Sequence, residues 1–182
     1  LLALLTQYRL RPLAVRGARS LGRTRRSKKT ERRAAVPTHT LSFRPLATMP
    51  APPFDPDSPL LFVINAGAGA QDVDAKRAVI ESALAARGRQ GELRVCEPAE
   101  LPRVAARAAA EAVQRRSAVV AVGGDGSLNA VAQAAHAAGC TMGVMPYGTF
   151  NYFARTHGIP TDPAAAAQLL MDARPQPVQV GA

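Results

Sequence analysis

Three glycines, an aspartate and a serine lie together in the stretch Val119–Val131, which reads VVAVGGDGSLNAV. Glycine allows close backbone approach, so successive amide N–H groups of such a turn can point at one anion. A helix that begins directly after the turn adds its own unpaired amides and a partial positive charge. The pattern therefore predicts a phosphate site at Gly123, Gly124, Gly126 and Ser127.

Asp125 stands inside this predicted phosphate site, although a carboxylate repels a bound phosphate. A proton on the carboxylate or a cation between the two groups would remove that conflict. Mg²⁺ is suitable, because it takes oxygen ligands from one or two carboxylates, from water and from phosphate groups. A metal ion between a carboxylate and a phosphate is also the arrangement by which phosphoryl transfer neutralises charge. We therefore predict that Asp125 is a Mg²⁺ ligand and the catalytic residue of this turn.

Short apolar runs alternate with longer Ala-rich stretches from Leu60 onward, which is typical of βα units around a parallel sheet. The predicted strands are 60–65, 93–97, 118–122 and 141–146, and the predicted helices are 73–88, 101–116, 127–139, a short one ending at 155, and 163–173. The unbroken apolar run at 118–122 predicts a strand that is buried on both faces. We expect an α/β fold with an open, mostly parallel, doubly wound sheet.

Three glycine-containing loops follow predicted strands: NAGAGAQD at 65–72, GGDGS at 123–127 and GTFN at 148–151. In an open parallel sheet the carboxyl ends of the strands meet at one edge, where ligands bind near a topological switch point. The sequence therefore predicts one ligand site built from these three loops. For any single loop, glycines that serve only a strand-to-helix turn are the alternative.

The basic residues are concentrated near the amino terminus. The formal net charge is +10, but residues 1–50 hold 12 of the 23 Lys and Arg side chains and one of the 13 acidic ones, which leaves −1 for the rest. Because the body of the chain has no excess of basic residues, we predict that it binds no nucleic acid. Residues 1–57 are expected to be a disordered tail, with a transit peptide, an anionic-lipid contact or non-native upstream sequence as alternatives.

Membrane-spanning helices need roughly 20 apolar residues, and no apolar run in the sequence approaches that length. We therefore expect a cytoplasmic protein, with peripheral attachment to a membrane left open.

The segments GGDGSLNAV and GVMPYGTFNYFARTHGIP together resemble the catalytic domain of the diacylglycerol kinase-like lipid kinases. The first segment is shared with a wider superfamily of sphingosine kinases, NAD kinases and 6-phosphofructokinases, whereas the second points to the lipid-kinase branch. The resemblance implies ATP-dependent, Mg²⁺-assisted phosphorylation of a lipid hydroxyl, such as that of diacylglycerol, at a membrane surface. It also implies the N-terminal domain fold of NAD kinases and diacylglycerol kinases, here over residues 58–175.

The same resemblance assigns roles to individual residues. Gly123–Ser127 would hold the nucleotide phosphates, and Asp125 would belong to a network of Mg²⁺ and water. Gly148, Thr149 and Asn151 would line the nucleotide cleft. Asn65 corresponds to the start of the family's first Asn-Pro loop, on the nucleotide side.

The chain departs from the family pattern in each loop. The first loop usually reads Asn-Pro-x-Ser-Gly, whereas Asn65 is followed here by Ala-Gly-Ala-Gly. Ala130 replaces a common acidic residue, and Tyr152 replaces an aspartate of many members. Since some branches carry an aromatic residue there, these departures indicate a subfamily.

Family members also have a second, β-rich domain, which supplies the general base for the lipid hydroxyl. The final PVQVGA reads as the first strand of such a domain, so residues 176–182 are predicted to begin it. We expect this chain to be a nucleotide-binding half that does not transfer phosphate alone.

Other readings of the loops fit less well. An NAD kinase-like enzyme is the nearest alternative, and the GTFNYFAR loop disfavours it. A dinucleotide-binding dehydrogenase would need a third glycine where Asp72 follows Gly67 and Gly69. A P-loop would need Gly-Lys-Ser/Thr, whereas Lys76 is the only lysine after Lys29. A truncated, non-catalytic nucleotide-binding protein is the alternative from a different class.

Overall fold

The computed structural model describes residues 4–6, 53–68 and 72–178. The strands are β1 (Leu4–Thr6), β2 (Leu60–Asn65), β3 (Gly91–Cys96), β4 (Ala118–Gly123), β5 (Thr141–Pro146) and β6 (Pro175–Pro177). The helices are α1 (Val73–Ala86), α2 (Leu101–Gln114), α3 (Asp125–Ala138), α4 (Tyr152–Thr156) and α5 (Pro163–Met171). Most of the predicted tail at 1–57, the loop residues 69–71 and the last four residues lie outside the described residues.

Four parallel strands form the central sheet in the order β3-β2-β4-β5, and β1 pairs with β6 in a separate two-stranded sheet. Leu61 lies opposite Val119 between β2 and β4, and Val120 lies opposite Gly143 between β4 and β5. The order of the strands in the sheet differs from their order in the chain, because the connection from β3 to β4 passes over β2. The expected α/β class with a parallel, doubly wound sheet is confirmed.

Helices cover both faces of this sheet. Helix α1 packs with α5, and α2 packs with α3, so two helical layers enclose the strands. All six residues of β4 are buried, as the apolar run predicts. The buried side of α2 consists of Leu101 and four alanines, so this helix approaches α3 and the sheet with very small side chains.

Strand β3 begins two residues earlier than the sequence predicts. Gly91 is its first residue and does not end helix α1. A Cβ atom at Gly91 would lie 2.8 Å from the ring of Phe62 and 2.9 Å from Leu84, so only glycine fits between these two side chains. Tertiary packing, and not a turn, explains this glycine.

Ion pairs fasten β3 to α2. Arg94 donates to both carboxylate oxygens of Glu111, at 3.0 and 2.5 Å, and to Glu92 at 3.1 Å. Arg115 also binds Glu92. These hydrogen bonds hold the pKa of both glutamates below the ordinary value, so the network keeps its charges at neutral pH.

Two short segments that precede strands or helices are also fixed. Asp55 N–H donates to the carbonyl of Arg116 at 2.7 Å, so the chain contacts the α2–β4 turn before the boundary predicted at residue 58. Asp72 caps α1 by accepting the amide of Ala75 at 2.7 Å. The position where a dinucleotide motif would have its third glycine is therefore a helix cap.

Within the described residues, no helix is long and apolar enough to cross a membrane.

Candidate functional site

A cleft of about 460 Å³ opens at the carboxyl edge of the sheet, where β2 and β4 lie side by side. The helices that follow these two strands, α1 and α3, belong to different layers, so the chain diverges at this point. Such a switch point is where open parallel sheets bind ligands. The cleft is lined by Asn65, Ala68, Pro98, Leu101, Pro102, Gly124, Gly126, Ser127 and Ala130.

Helix α3 begins at Asp125, two residues before the predicted start. Gly124 is its N-cap in an extended conformation, and no side chain caps the helix. The amides of the first turn are therefore left for solvent or a ligand at the point where Gly124, Gly126 and Ser127 line the cleft. An uncapped helix start in a cleft is suited to an anion.

The loop after β2 meets this helix start through one side-chain hydrogen bond. Asn65 Nδ2 donates to Ser127 Oγ at 2.8 Å, and Asn65 Oδ1 accepts the amide of Gly67 at 3.0 Å. Ser127 Oγ accepts here and makes no donated hydrogen bond to the described residues, so its hydroxyl hydrogen can be donated into the cleft. A Cβ atom at Gly123 would lie 2.5 Å from the same Oγ atom, so Gly123 makes room for Ser127.

The loops after β4 and β5 touch through their backbones. A Cβ atom on Gly148 would lie 2.6 Å from Gly124 Cα, and one on Gly124 would lie 3.1 Å from Gly148 Cα. Tyr147 N–H donates to the carbonyl of Gly123 at 2.8 Å, which extends the pairing of the two strands. Glycine is therefore favoured at both positions by the close approach of the two backbones. Neither residue has a positive φ that would call for glycine.

Asn151 fixes the shape of the loop after β5. Its side chain accepts the amide of Gly148 at 2.9 Å and donates to the Gly148 carbonyl at 2.8 Å. The residue is buried and has a φ of 51°, in the left-handed region that asparagine tolerates better than most residues. Asn151 thus supports the loop and lines a small cavity with Gly124 and Asp125, and Thr149 is exposed on the same loop.

Asp125 joins the start of α3 to the start of α4. Its two carboxylate oxygens accept the amides of Tyr152 at 3.3 Å and Phe153 at 3.5 Å. Each oxygen keeps a second lone pair, so the carboxylate can still bind a cation. The described residues contain no group of three His, Cys, Asp or Glu side chains that could hold a metal by themselves. A cation at Asp125 therefore needs further oxygen ligands, such as phosphates and water.

Lys76 is a site residue that the sequence analysis missed. The side chain has no solvent exposure, and Nζ donates to the carbonyl oxygens of Ala68 and, at 3.3 Å, of Asn65. A signal was present in the sequence, because Lys76 shares one helical face with Ile80, Ala83 and Leu84. A lysine on the apolar face of a helix indicates a buried ammonium group.

Comparisons with known proteins identify the family and the relatives of this chain. The family described as the diacylglycerol kinase catalytic domain matches residues 59–182. A protein of Pseudomonas aeruginosa (strain UCBPP-PA14) named "Probable lipid kinase YegS-like" is 38% identical over 131 residues, or 70% of this chain and 41% of the relative. A Pseudomonas putida protein of the same name is 45% identical over 65 residues, or 35% of this chain and 22% of the relative.

A solved structure of a diacylglycerol kinase from Bacillus anthracis str. Sterne is also similar. It has a TM-score of 0.52 and 26% sequence identity over 63% of this chain and 40% of that protein. The chain thus spans about two fifths of the length of the P. aeruginosa relative and of this structure.

We predict that Gly148→Ala separates the two glycine loops. The added Cβ overlaps with the Gly124 backbone and lies 2.9 Å from Asn151 Oδ1, so the free energy of unfolding should fall by about 1–3 kcal/mol in urea denaturation. Gly126→Ala is the matched control, since a Cβ there meets nothing within 4 Å and alanine suits a helix better. Equal stability of both variants would show that the loops are not in contact.

Proposed function

The chain belongs to the diacylglycerol kinase catalytic domain family, and from this membership we propose that it binds ATP with Mg²⁺ as part of a lipid kinase. The γ-phosphate of ATP goes to the hydroxyl group of a lipid such as diacylglycerol. The observation that carries the proposal is the cleft between β2 and β4, because its lining combines Asn65, Gly124, Gly126 and Ser127 with the apolar residues Pro98, Leu101, Pro102 and Ala130. A nucleotide likewise combines phosphates with a base.

The phosphates of ATP bind at the part of the cleft lined by Gly124, Gly126 and Ser127. The uncapped amides at the start of α3 and the free hydroxyl hydrogen of Ser127 are donors without a partner in the described residues. Gly124 and Gly126 have no side chains that would keep a phosphate away from these amides. The partial positive charge at the amino end of a 14-residue helix adds to the attraction.

The base of ATP binds against the apolar residues of the cleft, which are Pro98, Leu101, Pro102 and Ala130. A volume of about 460 Å³ lies in the range of small-molecule sites. Ala130 matters here because the acidic residue common at this position in the family would reduce the apolar area. The flat face of a purine ring can instead pack against proline and alanine side chains.

Asp125 is the residue that fits a Mg²⁺ ion. Magnesium in nucleotide sites is held by one or two carboxylates together with substrate phosphates and water, so one carboxylate beside the phosphate site is sufficient. The ion, when bound, neutralises charge on the transferred phosphoryl group. The Asp125 carboxylate accepts the amides of Tyr152 and Phe153 at 3.3 and 3.5 Å, which keeps it at the start of α3 next to Gly124.

The lipid approaches from the side of the loop after β5. Phe150 and Tyr152 are 61% and 66% exposed, and their rings stack with centroids 5.5 Å apart. Exposed aromatic side chains of this kind are enriched at membrane–water interfaces. Because the Tyr152 amide binds Asp125, this aromatic pair would bring a lipid surface next to the phosphoryl-transfer site.

In this proposal residues 58–175 bind the nucleotide, and a β-rich domain that begins at 176–182 supplies the general base. The base must reach the lipid hydroxyl directly or through one water molecule to take its proton. Transfer is therefore a property of the whole protein, whereas nucleotide binding can be measured on this chain.

Ser127→Ala tests the phosphate site. Loss of a hydroxyl donor to a charged phosphate should weaken ATP binding about tenfold, measured by isothermal titration calorimetry, and leave adenosine binding nearly unchanged. Ser117→Ala is the matched control, because Ser117 is also buried but binds the carbonyl of Pro59 before β4 begins. The proposal fails if the unmutated chain does not bind ATP.

Asp125→Asn tests the metal assignment, because we expect it to change ATP affinity in opposite directions without and with Mg²⁺. Without Mg²⁺ the variant should bind ATP more tightly than the unmutated chain, because a negative charge beside the phosphates is gone. With Mg²⁺ it should bind more weakly, and a whole protein that carries the change should lose phosphate transfer about a hundredfold or more. Asp172→Asn, which removes an exposed carboxylate paired with Arg87, should change neither affinity. If Mg²⁺ changes the ATP affinity of Asp125→Asn by the same factor as that of the unmutated chain, Asp125 is not a Mg²⁺ ligand.

The double variant Phe150→Ser, Tyr152→Ser tests the lipid-facing loop. Removal of two exposed rings should lower binding to phosphatidylcholine vesicles containing diacylglycerol by about tenfold or more in sedimentation assays, since each ring contributes apolar area. Val113→Ser removes an exposed apolar side chain from α2 and should have little effect. Unchanged vesicle binding of the double variant would place the lipid contact elsewhere.

A further inference from the structure

Lys76 is a charged side chain in the interior of the described domain. It lies in α1 with 0% exposure, although burial of an ammonium group without compensation is costly. Desolvation lowers its pKa, and the charge of Asp72 opposes that shift. A buried ammonium group needs acceptors for its N–H groups, and these acceptors show which part of the structure Lys76 supports.

The ammonium group contacts two of the three loops at the carboxyl edge. Nζ donates to the carbonyls of Asn65 and Ala68 in the loop after β2, and it lies 5.7 Å from the ring centroid of Tyr147 in the loop after β5. That distance allows a cation–π interaction. The direct contacts are all with uncharged groups, and the charge of Asp72 acts on the ammonium group without a hydrogen bond to it.

The contacts lead directly to the phosphate site. The Asn65 carbonyl accepts from Lys76 and from the amide of Ala68, which closes the loop into a turn. The Asn65 side chain binds Gly67 on one side and Ser127 on the other. The position of the Ser127 hydroxyl thus depends on Asn65, and the position of Asn65 depends on Lys76.

We propose that Lys76 is a positioning residue of the nucleotide site, which holds the loop at 65–68 against Ser127 and adds a positive charge behind the phosphates. The inference rests on the proposed function for its ligand. The hydrogen bonds that organise the loop are all made within the chain, so the positioning role and the nucleotide ligand can be tested separately.

Lys76→Met removes the charge and the donors but keeps the length of the side chain. Amide hydrogen exchange of Gly67 and Ala68 should accelerate about tenfold or more in the ligand-free variant, because Asn65 loses its support. Affinity for Mg²⁺-ATP should fall about tenfold or more, while affinity for adenosine should fall much less. Lys76→Gln, which keeps two donors without the charge, should protect the loop better and recover only part of the ATP affinity.

Leu84→Ala is the matched control for lost stability, because Leu84 is buried on the same face of α1 and does not reach the loops. It should destabilise the domain and leave the ratio of ATP to adenosine affinity unchanged. If Lys76→Met does not fold, Lys76→Gln carries the same comparison. In the unmutated protein, Mg²⁺-ATP but not adenosine should shift the ¹⁵N resonance of the Lys76 ammonium group.

Three outcomes are separable. Normal protection of Gly67 and Ala68 in Lys76→Met overturns the positioning role. Equal losses of ATP and adenosine affinity in that variant overturn the electrostatic role. No binding of Mg²⁺-ATP by the unmutated chain defeats the proposed function, and the exchange measurement still decides whether Lys76 holds the loop.

Discussion

The carboxyl edge of the sheet depends on the backbone contact between Gly124 and Gly148. Any side chain at either position would push apart the loops that follow β4 and β5. Because these loops touch, the Asp125 carboxylate reaches the amides of α4, and Asn151 is buried beneath the second loop. The loops that follow β4 and β5 are thereby fixed to each other without any large side chain between them.

The contact also explains how the chain tolerates its departures from the family pattern. Tyr152 stands where many members carry aspartate, yet the group that binds Asp125 is its backbone amide, which any residue except proline supplies. The side chain at this position is therefore free to be aromatic and exposed. In the first loop, the missing proline and serine leave less local stiffness, and the hydrogen bonds from Lys76 to the carbonyls of Asn65 and Ala68 provide an alternative constraint.

The electrostatics of the edge have a simple arrangement. Amides of α3, the hydroxyl of Ser127 and the ammonium of Lys76 are all donors, and Asp125 is the carboxylate set among them. A region rich in donors with one carboxylate attracts an anion that brings its own cation. This charge pattern would suit the nucleotide phosphate with Mg²⁺ that we propose for the site.

The sequence by itself determined the α/β class, the bounds of β2 and β5, the complete burial of β4 and the three glycine loops that follow strands. These features are local, since apolar runs and turn residues act over a few neighbours. Only the tertiary structure decided that Gly91 makes room for Phe62, that Asn65 binds a serine 62 residues later and that the Lys76 ammonium binds the carbonyls of Asn65 and Ala68. The physical reason is that strand order brings distant residues together, and whether a side chain meets water, a ring or a carbonyl depends on those neighbours.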